Sequence, residues 1–209
     1  MSLVLHIGNK RLSSWSMRPW LALKKAGIDF QEHLIPLDRD GTREQLLDLS
    51  PVATVPVLET PDGNIWDSLA ICEWAAEHSS ALWPADTARR AQARAVTASM
   101  HSGFAALRGE LPMDLQRRFA ATDMSVACWR DIETVQALWA QSKTGEGNFL
   151  FGDWSIADAF FTPVATRFET YQVPLSTSAQ TYVETLLGDP VYKDWKAAAL
   201  LESWDAPGH

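Results

Sequence analysis

A small mixed α/β half followed by an all-helical half is the architecture that this sequence predicts. Three observations predict it. Strand-like apolar runs crowd into the first part of the chain and nearly vanish beyond residues 79–86. In that first part they alternate with helical patterns in the order βαβαββα. Beyond it, five stretches of helical periodicity follow one another. The 209 residues suffice for one large domain or two small ones. The expected division is a mixed domain over 1–79, a linker over 80–86 and a helical domain over 87–209.

Residues 3–7, Leu-Val-Leu-His-Ile, read as a short buried strand ended by Gly8-Asn9. A helix follows over 14–26, with Gly27 as its C-terminal stop. Pro19 falls in its first turn if the helix begins near Ser16, where a missing N–H costs little. Residues 30–37 read as a second strand, parallel to the first across the helix. Asp38 to Gly41 form a polar loop, and a short helix covers 43–49. Strands over 55–59 and 64–66 join at Pro61-Asp62-Gly63 as a hairpin. A helix covers 68–78. In the second half, helices are expected over 88–111, 125–141, 156–171, 178–187 and 191–201. Ser155-Ile156-Ala157-Asp158 reads as a capping box that starts a core helix, with Gly152 permitting a tight turn before it. A catalytic Asp158 is the competing reading.

Composition excludes several classes. With 46% hydrophobic and 21% charged residues, the chain reads as globular. A net charge of -8 argues against nucleic acid or an anionic membrane as partner, while leaving room for a local anion site. No apolar run reaches the roughly 18–20 residues of a membrane span, and the first residues show no secretory pattern. Cys72 and Cys128 form neither a CxxC pair nor a disulfide framework, so a reducing cytoplasm is expected. The ten tryptophans read as core filling and partly buried surface, with a few available to line an apolar pocket. GxSxG, HExxH and Walker motifs are absent, and the five histidines show no triad spacing. Serine hydrolysis, metal hydrolysis and nucleotide binding are therefore without support.

Two segments carry the chemistry. Thr54-Val55-Pro56-Val57-Leu58 puts a proline inside a strand pattern. A central strand cannot spare that N–H, so a cis Val55-Pro56 bond that turns the Val55 backbone outward is expected. Asp67-Ser68 then opens a helix, whose N-terminus favours a carboxylate. A strand edge beside a carboxylate site suggests a small acidic peptide as ligand. The second segment, Arg11-Leu12-Ser13-Ser14-Trp15-Ser16, opens the first helix with more hydroxyls than one N-cap needs. Such a helix start can hold a thiolate, because hydroxyl donors and the helix dipole both lower a thiol pKa.

Together these segments, the βαβ–ββα order, the helical second half and the Gly152 to Asp158 box resemble the cytosolic glutathione transferases. The resemblance covers essentially the whole chain. It implies a thioredoxin-like first domain, a helical-bundle second domain, glutathione as co-substrate without a metal, and a cytoplasmic homodimer. It implies that Val55, presented by Pro56, bonds the cysteinyl backbone of glutathione. Asp67 and Ser68 would hold the γ-glutamyl end. Ser13 takes the place of the catalytic serine, with Ser14 beside it. The serine loop is similar to that of the zeta class, except that Trp15 stands where that class has cysteine.

The implied activity is conjugation of the glutathione thiolate to small hydrophobic electrophiles. Two alternatives stand beside it: a zeta-like cis-trans isomerase of the maleylacetoacetate type, and a non-catalytic binding or regulatory protein. Leu12, Trp15, Met100, His101, Phe104 and Arg108 are the expected lining of the electrophile pocket. Met100, Phe104 and Leu107 follow one helical face and equally suit a core stripe. His101 is expected to be partly exposed. Arg18 suits either steering of the glutathione carboxylates or an exposed i,i+4 contact.

Overall fold

A computed structural model describes residues 2–37, 39–119, 123–143 and 146–203. Met1, Asp38 of the expected polar loop and residues 204–209, with Trp204 and His209, lie outside the described residues. The first half runs β1 (Val4–Ile7), α1 (Ser14–Lys25), β2 (Gln31–Leu34), α2 (Thr42–Leu49), β3 (Val57–Thr60), β4 (Gly63–Trp66) and α3 (Ser68–His78). The second half holds α4 (Thr87–Ser102), α5 (Ala105–Glu110), α6 (Val126–Ser142), α7 (Ile156–Thr170), α8 (Thr177–Gly188) and α9 (Pro190–Leu200). The fold is a thioredoxin-like half joined to a helical bundle.

One mixed sheet of order β2-β1-β3-β4 carries the first half. β1 and β2 are parallel, with His6 opposite His33, as a crossover through α1 requires. β3 runs antiparallel to both β1 and β4, and Leu58 faces Leu5 in the core. The hairpin closes at Thr60 and Gly63, around the expected turn. Gly27 takes a left-handed φ of 68°, and Gly27 N–H and Ile28 N–H donate to Lys24 O and Leu23 O, two of the last carbonyls of α1. Val55-Pro56 is cis, and β3 starts one residue beyond it, so no strand position is asked of the proline.

The halves meet where α1 packs on α7. α7 also packs on α4 and α8 and is buried on nearly every side, with the buried polar groups of Asp158, Thr162, Thr166 and Arg167 hydrogen-bonded. The capping box sets its start: Asp158 accepts from Ser155 N at 2.8 Å and from Leu150 N at 3.2 Å, and Tyr182 donates to it at 2.7 Å. Asp158 is thus spent on structure. Of the tryptophans, Trp20, Trp83, Trp139 and Trp195 are core residues, while Trp66 is 40% exposed.

Three expectations need correction. The helix expected over 88–111 is broken at Gly103-Phe104. Phe104 takes a left-handed φ of 58°, and a Cβ on Gly103 would lie 2.6 Å from Ser99 O. Met100 and Phe104 therefore belong to no continuous stripe with Leu107. Pro19 lies inside α1 rather than in its first turn, because Ser13 caps the helix and starts it at Ser14. Arg18 makes no exposed contact: its side chain is enclosed between α1 and α7, with 0% exposure.

Candidate functional site

The loop between β1 and α1 is a chain of short hydrogen bonds. Asn9 O accepts from Leu12 N at 3.0 Å and Ser13 N at 2.8 Å, which turns the chain into the helix. Ser13 Oγ accepts from Ser16 N at 3.3 Å and donates to Ser16 Oγ at 2.8 Å. Gly8 N also donates to Ser16 Oγ, at 3.1 Å. Ser16 Oγ thus has its acceptor sites filled, and no acceptor for its own proton is found among the described residues. Ser14 Oγ accepts from Arg167 Nη2 at 3.2 Å, and no acceptor for its own proton is found among the described residues.

The second helix start is built by β4 and α3. Asp67 caps α3 with a φ of 77°, and its Oδ1 accepts from Leu69 N at 2.7 Å. Its other oxygen faces His101 Nε2 at 3.3 Å. Ser68 is 1% exposed, yet its Oγ has no hydrogen-bond partner among the described residues. Buried hydroxyls are normally paired, so this atom, at the positive end of a helix, is free to bind an anion. Half-buried Val55 follows the same rule: its backbone enters no hydrogen bond found among the described residues.

Trp15 joins these parts. It lines a cavity of about 460 Å³ together with Thr54, Val55, Leu37, Arg39 and Arg43. A larger cavity of about 650 Å³ lies at the linker, around Trp83 and Trp154, and contains none of the expected site residues. Volume does not identify the site here; chemistry does. The Trp15 ring meets His101 edge-on at 5.4 Å and has Arg108 at 5.5 Å. Arg18 lies 4.1 Å from the Trp15 ring and 4.8 Å from that of Phe160. None of the three Arg18 guanidinium nitrogens is hydrogen-bonded among the described residues.

Burial, reinforced by Arg167 and Arg108, lowers the Arg18 pKa to about 9. Burial and Arg108 lower that of Arg167 to about 10. Three guanidinium groups thus share one region with Asp67 as the nearby carboxylate, in a chain whose net charge is -8. That arrangement suits an anion.

Of the residues expected to line the electrophile pocket, Trp15, His101 and Arg108 come together. The His101 side chain is 26% exposed, as expected. Leu12 is half-buried in the loop, Phe104 forms the left-handed break, and Met100 is enclosed in the core. Ser16 and Arg167 went unassigned in the sequence. The available sign for Arg167 is a basic residue on a mostly apolar helix. Among the described residues no group of His, Cys, Asp or Glu is placed to hold a metal ion, and no helix is long and apolar enough to cross a membrane.

Comparison with known proteins gives the same direction. Residues 12–78 match the family model of the glutathione S-transferase N-terminal domain. The chain is 31% identical over 171 residues to the maleylacetoacetate isomerase of Pseudomonas aeruginosa, covering 78% of this chain and 80% of that protein. It is 30% identical over 186 residues to a probable maleylacetoacetate isomerase of Caenorhabditis elegans, covering 86% of each. Among solved structures it is similar to a glutathione transferase homolog from Burkholderia with bound glutathione. That match has a TM-score of 0.74 and 25% identity, and covers 95% of this chain and 98% of the other.

Proposed function

The chain belongs to the glutathione S-transferase family, and from that premise we propose that it binds glutathione across the starts of α1 and α3 and delivers its thiolate to a small hydrophobic electrophile. The observation that carries the proposal is the pair of groups left unspent among the described residues: the buried Ser68 Oγ without a partner, and the unpaired Val55 backbone on the cavity that Trp15 walls. Glutathione offers what each lacks. Its γ-glutamyl carboxylate accepts from Ser68 Oγ and the α3 amides, Asp67 takes its ammonium, and its cysteinyl backbone pairs with Val55. Arg39 and Arg43 on the cavity wall suit its glycyl carboxylate.

Ser13 is the direct donor to the sulfur. Its hydroxyl turns from Ser16 to the thiolate, and Ser16, for whose proton no acceptor is found among the described residues, donates to Ser13 Oγ in return. Such a chain strengthens each of its bonds. Ser14 anchors the Arg167 cation nearby. Thiolate attack then forms the carbon–sulfur bond as a halide leaves, or as the adduct takes up a proton. A homodimer in the cytoplasm belongs to the proposal, and the exposed Trp66 offers an apolar contact for it.

One observation favours a second reading. The guanidinium groups of Arg18, Arg108 and Arg167 around Trp15 and Ser14 suit an anionic electrophile, as maleylacetoacetate, in the names of the relatives, would be. Thiolate addition to a cis double bond, rotation and expulsion of the thiolate would return the trans isomer with no net oxidation.

The experiment has two arms. Ultraviolet titration of enzyme-bound glutathione should show a thiol pKa below its value in water, and no binding by calorimetry overturns the proposal. Assay with a chlorinated nitrobenzene and with maleylacetoacetate then separates conjugation from isomerisation.

A further inference from the structure

The C-terminal strap reaches the serine loop through one carboxylate. Glu202 follows α9, and its Oε1 accepts from Lys10 N at 2.7 Å and its Oε2 from Arg11 N at 3.0 Å. Charge-assisted bonds of this kind are roughly twice as strong as neutral ones. The side chains of Lys10 and Arg11 are directed elsewhere, to Glu32 and Asp114. The carboxylate therefore serves the two amides.

The strap is itself pinned. Gln116 Nε2 donates to Glu202 O at 2.9 Å and to Ala199 O at 3.0 Å. Two carbonyls of the loop are tied to the same half of the molecule. Trp195 Nε1 donates to Lys10 O at 3.0 Å, and Leu115 N to Arg11 O at 3.3 Å. Two residues beyond Arg11 stands Ser13, whose N–H is tied back to Asn9 O. The Lys10-Arg11 part of the loop, two residues before Ser13, is thus held from α9 and the residues after it, while Ser13 itself is tied to Asn9 and Ser16.

We infer that Glu202 is a positioning residue for the Ser13 hydroxyl, coupling the C-terminal strap to the thiolate site. The inference rests on the glutathione reading above. The amides of Lys10 and Arg11 need two acceptors at a fixed spacing, and a carboxylate supplies both at once. Without it the loop must find water or other partners, and the Ser13 hydroxyl moves off the sulfur. Oriented donors lose their effect with small displacements. The γ-glutamyl contacts at α3 are separate and remain.

The test uses the full-length chain with Glu202→Ala and Glu202→Gln. The thiol pKa of bound glutathione is read by ultraviolet titration, its affinity by calorimetry, and exchange of the Lys10 and Arg11 amides by NMR. Glu202→Ala should raise the thiol pKa by about one unit, a roughly tenfold loss of thiolate, with affinity changed less than about twofold. Glu202→Gln, which keeps an acceptor oxygen, should fall between wild type and alanine. Faster exchange at Lys10 and Arg11 should accompany the shift. An unchanged thiol pKa with only a lowered melting temperature overturns the inference and leaves a structural tether. Ser13→Ala separates the failures. If it raises the pKa and Glu202→Ala does not, the strap inference alone is wrong. If neither does, the serine reading beneath it is wrong.

Discussion

The Arg18 guanidinium lies 4.1 Å from the centre of the Trp15 ring, closed off from solvent, with the Phe160 ring at 4.8 Å. Two aromatic faces offset part of the cost of burying that charge, by about 2 kcal/mol each at best when desolvated. They supply no hydrogen bonds. A cation so placed is costly to the fold, and an anion beside it would offset that cost.

Arg18→Met should therefore stabilise the ligand-free protein and impair its chemistry. Replacing a buried charge by an apolar side chain of similar volume gains about 1–4 kcal/mol in comparable cases. The sign with pH follows from the pKa, lowered by burial to about 9 from the ordinary arginine value. The folded state disfavours the charged form, so the penalty is complete below pH 9 and fades as pH rises through it. The gain from Arg18→Met should be larger at pH 7.5 than at pH 10 in urea unfolding. A variant less stable than wild type at both pH values would show that Arg18 is structural.

The architecture was legible because its causes are local. Val55-Pro56 marks its own bend, Ser155 and Asp158 cap their own helix, and the strand order follows from a helix between two apolar runs. Of the candidate site, the two helix starts were legible, at Ser13 and at Asp67-Ser68, because a capping residue names itself. What escaped is what depends on distant partners. Arg18 reads equally as a steering residue and as a surface residue until α7 closes over it, and Arg167 reads as a lone basic residue on a mostly apolar helix until Ser14 comes within reach. The break at Gly103-Phe104 escaped because the helical period continues through it.

The serine loop predicts an order of effects. Ser13→Ala removes the direct donor and should raise the barrier by about 2–4 kcal/mol, as the loss of one oxyanion donor does elsewhere. Ser16→Ala removes the partner behind it and should act in the same direction but less. Ser14→Ala frees Arg167 and should act mainly on the second substrate. Bound-glutathione pKa and kcat/KM for each variant measure this. Equal thiol pKa values in wild type and Ser13→Ala would remove Ser13 from the chemistry.

Ser68→Ala tests the other helix start. The hydroxyl is buried and has no partner among the described residues, so its removal costs the fold little. In the complex it would bond a carboxylate, a contact worth about 1.5–3 kcal/mol. Calorimetry should show the glutathione Kd raised by roughly tenfold or more, with the melting temperature unchanged. An unchanged Kd would exclude the hydroxyl from the site.

Asp158→Ala should do the reverse, harming the fold and sparing the chemistry of whatever remains folded. It strands the amides of Leu150 and Ser155 and the Tyr182 hydroxyl in the core. Each unsatisfied buried donor costs about 1–3 kcal/mol, so the loss in urea unfolding should exceed that of any single serine variant above. The thiol pKa of bound glutathione should not move. If it did, the second half would reach the sulfur by a route other than the serine loop.

Acid should loosen the serine loop through Asp114. Burial works against its ionised form, but the bonds from Arg11 Nε at 2.8 Å and Nη2 at 2.7 Å, with Gln116 N at 3.0 Å, outweigh it and hold the carboxyl below its usual value. A depressed carboxyl pKa stabilises the fold above the unfolded value and loses that contribution as pH falls through the folded one. Asp114→Asn should thus cost stability at pH 7, by about 1.5–3 kcal/mol for hydrogen bonds to a charged group. Its unfolding free energy should then fall less steeply than that of wild type below pH 4. Because Arg11 belongs to the loop that carries Ser13, the same variant should also raise the thiol pKa of bound glutathione at neutral pH. Parallel acid slopes in the two proteins would mean that Arg11 and Asp114 contribute no pH-dependent stability.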